Sequence, residues 1–201
     1  MNADMALQKL IGGNVRFVTE RYAQAGVGPE RRRELTAGQR PFAAVLGCAD
    51  SRVPPEIIFD QGLGELFVVR IAGQAIDKVV LGSLEYAVEH LGVELIVVLG
   101  HEDCGAVKAA AASVPPPGQL AAVTAAVYPA VRTAAAAGGE LVADAIVANV
   151  CHGAERLACS PVLQAALQTG RLKIVGAVYS LAGRVVFLSL LPRGAAAVPA
   201  C

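Results

Sequence analysis

"FAAVLGCADSR", residues 42–52, runs from apolar side chains into a thiol, an acid and a base at alternating positions. Ala43 to Leu46 carry no polar side-chain atom, and a run this short, closed by Gly47, reads as a β-strand buried on both faces. A surface loop has no need of the Cys48 thiol, and a core has no use for the charges of Asp50 and Arg52. Residues two apart in a strand project to one side. A pleat that continued past Gly47 would therefore point Cys48, Asp50 and Arg52 the same way from the strand's C-terminal end.

Outward from this stretch the chain alternates. "ELFVVR" (65–70) and "ELIVVLG" (94–100) are further short apolar runs and read as buried strands like the first. "IDKVVLGSLEYAVEHLG" (76–92) lies between them as an amphipathic helix that stops at a glycine. Strand, helix and strand in this order predict a parallel sheet with right-handed crossovers. Before the sheet, Leu7, Leu10, Ile11 and Val18 recur at helical spacing over 4–18, with Gly12 and Gly13 weakening the helix. After it, "SVPPPG" (113–118) interrupts the chain, and two Ala-rich helical stretches are predicted over roughly 119–136 and 140–168. "RLKIVGAVYS" and "RVVFLSLL" then form a hairpin around "LAG" (181–183). The expected architecture is α/β: a mostly parallel four-stranded sheet flanked by helices, with an additional C-terminal strand. All of 1–201 belongs to a single domain, with 1–40 a helical arm packing on a partner subunit.

The composition narrows the chemistry. Of 201 residues 55% are hydrophobic and 17% charged, which is apolar enough to predict an extensive subunit interface. Net charge is zero, and the one basic cluster, "ERRRE" at 30–34, reads as a solvated helix face, so no nucleic-acid partner is expected. No apolar run reaches the roughly 18 residues of a membrane span, and the N-terminus lacks an export pattern. A cytoplasmic protein is expected. Its five cysteines would then be ligands, nucleophiles or buried small residues rather than disulfides.

A second cluster, "GHEDCGAVKAA" (100–110), follows the third strand directly. His101 and Cys104 are three apart, so one helical turn would set them on a common face. Both clusters leave the C-terminal ends of strands predicted to be parallel, where open α/β sheets place their ligands. Two thiolates, an imidazole and a carboxylate converging there form a donor set suited to zinc. A further cluster in "NVCHGAERLAC" (149–159) is weaker. Cys151 and His152 are adjacent and diverge by about 100° on a helix, so core and surface positions account for them and for Cys159. Cys201 reads as a loose terminal thiol, and His90 as a cation at a helix C-terminus.

With these residues in place the chain resembles the β-class carbonic anhydrases. "CADSRVP" and "GHEDCGAV" carry the likeness, with "FVVRIAG" and "GSLEYAV" between them, "LIGGNVRF" before and "LKIVGAVYSLAGRV" after. The resemblance implies a reversible hydration of carbon dioxide to bicarbonate and a proton, with one Zn2+ per subunit on Cys48, His101 and Cys104. It implies that Asp50 accepts a hydrogen bond from a zinc-bound hydroxide and is itself held by Arg52. In the family's closed state the aspartate becomes a fourth zinc ligand. Gln39 stands where the plant-like open type has a substrate-binding glutamine, and Val45 where the bicarbonate-regulated type has tryptophan, so an open site is expected. Phe67, Ala72, Tyr86 and Gly105 match the open type's pocket-lining positions. Some of these come from the neighbouring subunit in that type, so a homodimer or homotetramer is expected. Ile71 and Gln74 replace two asparagines of the family pattern, and Glu102 stands where a small hydroxyl residue is frequent.

Three other readings are weighed. Hydrolysis of carbonyl sulfide or carbon disulfide could use the same scaffold, although the intact "CADSR" favours the hydration. A purely structural zinc would be closed by four permanent ligands and would not need Arg52 beside Asp50. A redox role for Cys48 and Cys104 lacks a C-x-x-C pairing.

Overall fold

A computed structural model describes residues 1–188 other than 24, 25, 113 and 115. Cys201 lies outside the described residues. Five strands form one sheet in the order β2-β1-β3-β4-β5. They are β1 Ala43–Gly47, β2 Leu66–Arg70, β3 Leu95–His101, β4 Lys173–Tyr179 and β5 Val185–Leu188. The first four run parallel, and β5 returns antiparallel against β4 from Tyr179↔Val185 to Gly176↔Leu188.

The central strands are apolar because helices cover both faces. All of β1 and β3 is buried. Ala44, Leu46, Ile96 and Val98 face one core with Val80, Leu84 and Val88 of helix α4 (Lys78–Glu89). Ala43, Val45, Leu95, Val97 and Leu99 face the other with Ala6 and Leu10 of helix α1 (Ala3–Val18). The arm thus packs one face on its own sheet, while Met5, Val15 and Val18 stay exposed. β2 departs from the sequence expectation. Leu66 to Val69 are only half-buried and Arg70 is exposed, because β2 is the sheet's edge strand and has a neighbour on one side only.

The remaining helices are α2 Pro29–Glu34, α3 Pro55–Ile58, α5 Gly105–Ala111, α6 Leu120–Ala137, α7 Leu141–Ala158 and α8 Pro161–Gln168. The helix expected over 140–168 is two helices. Ser160 caps the second through Leu163 N at 3.3 Å, and Pro161 opens it where a proline's missing N–H does no harm. A second correction concerns α6, whose 18 residues are long and apolar enough to cross a membrane by length and composition. Its inner face (Thr124, Val127, Ala130, Val131 and Ala134) is buried, and it packs against α5 and α7. A third concerns the cysteines: Cys159, at the end of α7, is disulfide-bonded, whereas Cys48, Cys104 and Cys151 are free.

Candidate metal centre

β1 and β3 are parallel neighbours, paired from Ala44↔Ile96 to Gly47↔Leu99, so the segments that leave them emerge side by side. The Sγ atoms of Cys48 and Cys104 and a ring nitrogen of His101 all lie within 4.8 Å of one another. Among the described residues this is the one group of three or more His, Cys, Asp or Glu side chains arranged to hold a metal. The means of convergence differ from those expected. His101 is the last residue of β3 and Cys104 the N-cap of α5, joined by a tight turn in which Asp103 has φ 59° rather than by a helical turn.

The imidazole is prepared to ligate. Its Nδ1 lies 2.8 Å from the Glu102 carbonyl oxygen, which can only accept, so Nδ1 carries the hydrogen. Nε2 then presents a lone pair. His101 is fully buried, and Nε2 has no hydrogen-bond partner. Burying such an atom unpaired is costly, and a cation between it and the two sulfurs removes the cost. The Cys48 sulfur also accepts the Gly73 N–H at 3.3 Å. The Cys48 thiol is lowered to about 4 by its hydrogen bond with Cys104, against burial and with help from His101 and Gly73. Cys104 is pushed up by the same hydrogen bond and by burial, so the pair shares one proton. Burial pulls His101 down, but the neighbouring Cys48 thiolate, the Glu102 carbonyl and Asp50 outweigh it and raise the imidazole overall. The centre therefore attracts positive charge, and its sulfur–nitrogen donors fit zinc.

Asp50 and Arg52 do meet, though not through a shared pleat. β1 ends at Gly47, and a local turn brings Arg52 N to Asp50 Oδ1 at 2.9 Å. Arg52 Nε donates to Oδ1 at 3.0 Å and Nη2 to Oδ2 at 2.8 Å, a two-pronged grip. These bonds hold the Asp50 carboxyl well below the usual carboxylate range. Asp50 Oδ2 stands 3.9 Å from His101 Nε2.

Ala72 lies in a short 3-10 turn (Ala72–Gln74) beside Cys48, and Gly105 is the first residue of α5, with open space where a Cβ would project. Gln39, Phe67 and Tyr86 are not brought to this centre within one chain. Gln39 is exposed ahead of β1, at the opposite end of the strand from Cys48. Phe67 pairs with Ala44 near that same end, and its ring centroid is 6.2 Å from that of Tyr86, which is 46% exposed and stacked on His90.

Several residues that hold the site went unnoticed in the sequence. Arg70 donates from Nε to the Cys48 carbonyl at 2.9 Å and from Nη2 to the Asp50 carbonyl at 2.5 Å, gripping the backbone on both sides of Ala49. Its place follows from register, since parallel pairing sets Arg70 opposite Gly47, and the local sequence pattern does not state that register. Gly73 holds the Cys48 sulfur and is held in turn by Asn149, whose Nδ2 donates to its carbonyl at 2.9 Å. Asp103 reaches Arg52 Nη1 at 3.5 Å and pairs with Lys108.

Comparison with known proteins agrees with this geometry. The pattern of the family described as "Carbonic anhydrase" matches residues 43–185. A carbonic anhydrase of Mycolicibacterium smegmatis is 44% identical over 196 residues, covering 94% of this chain and 95% of the relative. The β-carbonic anhydrase of Coccomyxa, solved with acetazolamide, superposes with a TM-score of 0.71 at 34% identity, covering 78% of this chain and 75% of that one. A tetrameric β-carbonic anhydrase of Sordaria macrospora gives a TM-score of 0.73 at 27% identity, covering 81% and 87%. The chain belongs to the carbonic anhydrase family, in its β class.

Proposed function

We propose that the chain catalyses the reversible hydration of carbon dioxide to bicarbonate and a proton, with one zinc per subunit held by Cys48, His101 and Cys104. The observation that carries this reading is the buried, unpartnered Nε2 of His101 facing two sulfurs beside a carboxylate locked to Arg52. Bound zinc would supply the Lewis acidity that makes water a competent nucleophile near neutral pH.

The chain's own residues do the rest. Asp50, ionised throughout the neutral range, can only accept a hydrogen bond. It therefore turns the hydrogen of the attacking oxygen toward itself and a lone pair toward the substrate. Arg52 keeps the carboxylate in that orientation. Arg70 fixes the backbone from which both Cys48 and Asp50 project. With Asp50 engaged by Arg52 on both oxygens, a zinc held by Cys48, His101 and Cys104 would lack a fourth protein ligand and could take water instead, which supports an open site. A purely structural zinc gives no reason for the Asp50–Arg52 grip.

The site needs a second copy of the chain. Phe67 and Tyr86 pack together toward the other end of the sheet, the end from which Gln39 leads into β1, with Tyr86 half-exposed and suited to lining a neighbour's pocket. The tetrameric state of the Sordaria relative supports a homo-oligomer, dimer or tetramer. Carbon dioxide is small and apolar, matching a pocket of hydrocarbon with few polar groups. The test is stopped-flow hydration of carbon dioxide by protein of known zinc content. Rates proportional to zinc, reaching one ion per chain, are expected; zinc-loaded protein without turnover overturns the reading.

A further inference from the structure

We propose that Glu102 is a positioning residue for His101: it fastens the end of β3 to the β4–β5 turn and so governs how firmly the imidazole is held toward its metal. This rests on the reading of Cys48, His101 and Cys104 as zinc ligands.

Glu102 does two things at once. Its backbone carbonyl accepts the His101 Nδ1–H at 2.8 Å, which fixes both the tautomer and the plane of the ring. Its carboxylate reaches the other way. Oε2 accepts from Ser180 Oγ at 2.9 Å and from the Leu181 N–H at 3.0 Å, while the Glu102 N–H donates to the Tyr179 carbonyl at 2.9 Å. The residue whose carbonyl orients the ligand is therefore pinned by three bonds, one to the last residue of β4 and two to the turn that follows it.

The anchor is itself rigid. Ser180 N donates to the Arg184 carbonyl at 2.7 Å, and Gly183 N to the Ser180 carbonyl at 2.8 Å, closing the turn. From below, the buried Asn14 of α1 donates to the Gly183 carbonyl at 2.9 Å and accepts from Val185 N at 2.9 Å. Its Nδ2 also donates to the Ile58 carbonyl at 3.1 Å. A continuous set of hydrogen bonds thus runs from α1 through the turn and Glu102 to the ring of His101. A serine or threonine at 102, shorter by two carbons, could not reach Ser180 and Leu181. The glutamate gives this chain a fastening that a small hydroxyl residue would lack. Groups that orient a ligating histidine in this way commonly change metal affinity 10- to 100-fold when lost.

The experiment follows zinc release from the loaded oligomer into excess chelator for the wild type, Glu102→Ala, Glu102→Gln and Ser180→Ala. Glu102→Ala is expected to release zinc about 10-fold faster. Glu102→Gln should stay within about twofold of wild type, because its carbonyl oxygen can accept both bonds. Ser180→Ala, which removes one of the two bonds to the carboxylate together with the Ala182 N–H bond to Ser180 Oγ at 3.3 Å within the turn, should shift release in the same direction by a smaller factor. The proposal is overturned if Glu102→Ala and Ser180→Ala both release at the wild-type rate. It is equally overturned if Glu102→Gln releases as fast as Glu102→Ala, since charge rather than the fastening would then matter. Wild-type protein that takes up no zinc is a different result, one that removes the metal reading itself.

Discussion

Replacing Gly73 by alanine would set a methyl carbon 2.8 Å from Ala106 Cβ and 3.0 Å from Val127 Cγ2, on a backbone with φ 63°. An L-residue in the left-handed region costs roughly 1–2 kcal/mol. Forcing a methyl into a filled space costs about 1–3 kcal/mol more, because neither neighbour is the free end of a flexible side chain. The sum is about 2–5 kcal/mol. For a domain of this size each kcal/mol lowers Tm by about 2–4 °C, so Gly73→Ala should melt roughly 4–20 °C below the wild type. The same strain bears on the site, since the Gly73 N–H is what the Cys48 sulfur accepts at 3.3 Å. Thermal unfolding followed by circular dichroism, with zinc content measured on the same samples, tests both effects. A variant melting within 2 °C of the wild type with full zinc would refute the claim that this glycine is required by its contacts.

Arg52→Ala should lower kcat by about 100-fold through loss of orientation at Asp50 while zinc content stays at the wild-type level, read by stopped-flow assay and metal analysis. Asn14→Ala removes two donated and one accepted hydrogen bond in a buried position. It should cost about 2–4 kcal/mol, measured as a shift in the urea midpoint at unchanged m-value. Burial raises the Tyr179 phenol above its ordinary value of 10.0. The unfolded state then loses its phenolic proton first, so stability should fall as pH rises through about 10. Tyr179→Phe should remove that part of the alkaline loss in unfolding experiments between pH 9 and 11; an unchanged pH slope would contradict it.

Much of the fold was legible because its central strands advertise themselves. β1 and β3 are buried on both faces, so their runs are apolar without alternation, and the glycines that close them are in the sequence. The half-buried state of β2 was not legible, since strand order is set by packing and nothing within "ELFVVR" states that it lies at an edge. The break between α7 and α8 was written in Ser160-Pro161, a cap followed by a first-turn proline, and was overrun by the apolar periodicity on either side. At the site, residue types and spacing named the ligands and the Asp50–Arg52 pair. They misjudged how the chain brings them together, because the turns at 50–52 and at Asp103 are tertiary choices of backbone conformation. Arg70 escaped notice because its role depends on register rather than local pattern. The disulfide at Cys159 escaped because compartment was the only guide to cysteine pairing.

X-ray absorption at the zinc edge of the loaded protein tests most directly whether Cys48, His101 and Cys104 grip one ion with a corner left over. Two sulfurs at about 2.3 Å, one nitrogen at about 2.0 Å and one further light atom are predicted, with one sulfur lost in Cys104→Ser. A shell of four protein donors, or one without sulfur, would contradict the account.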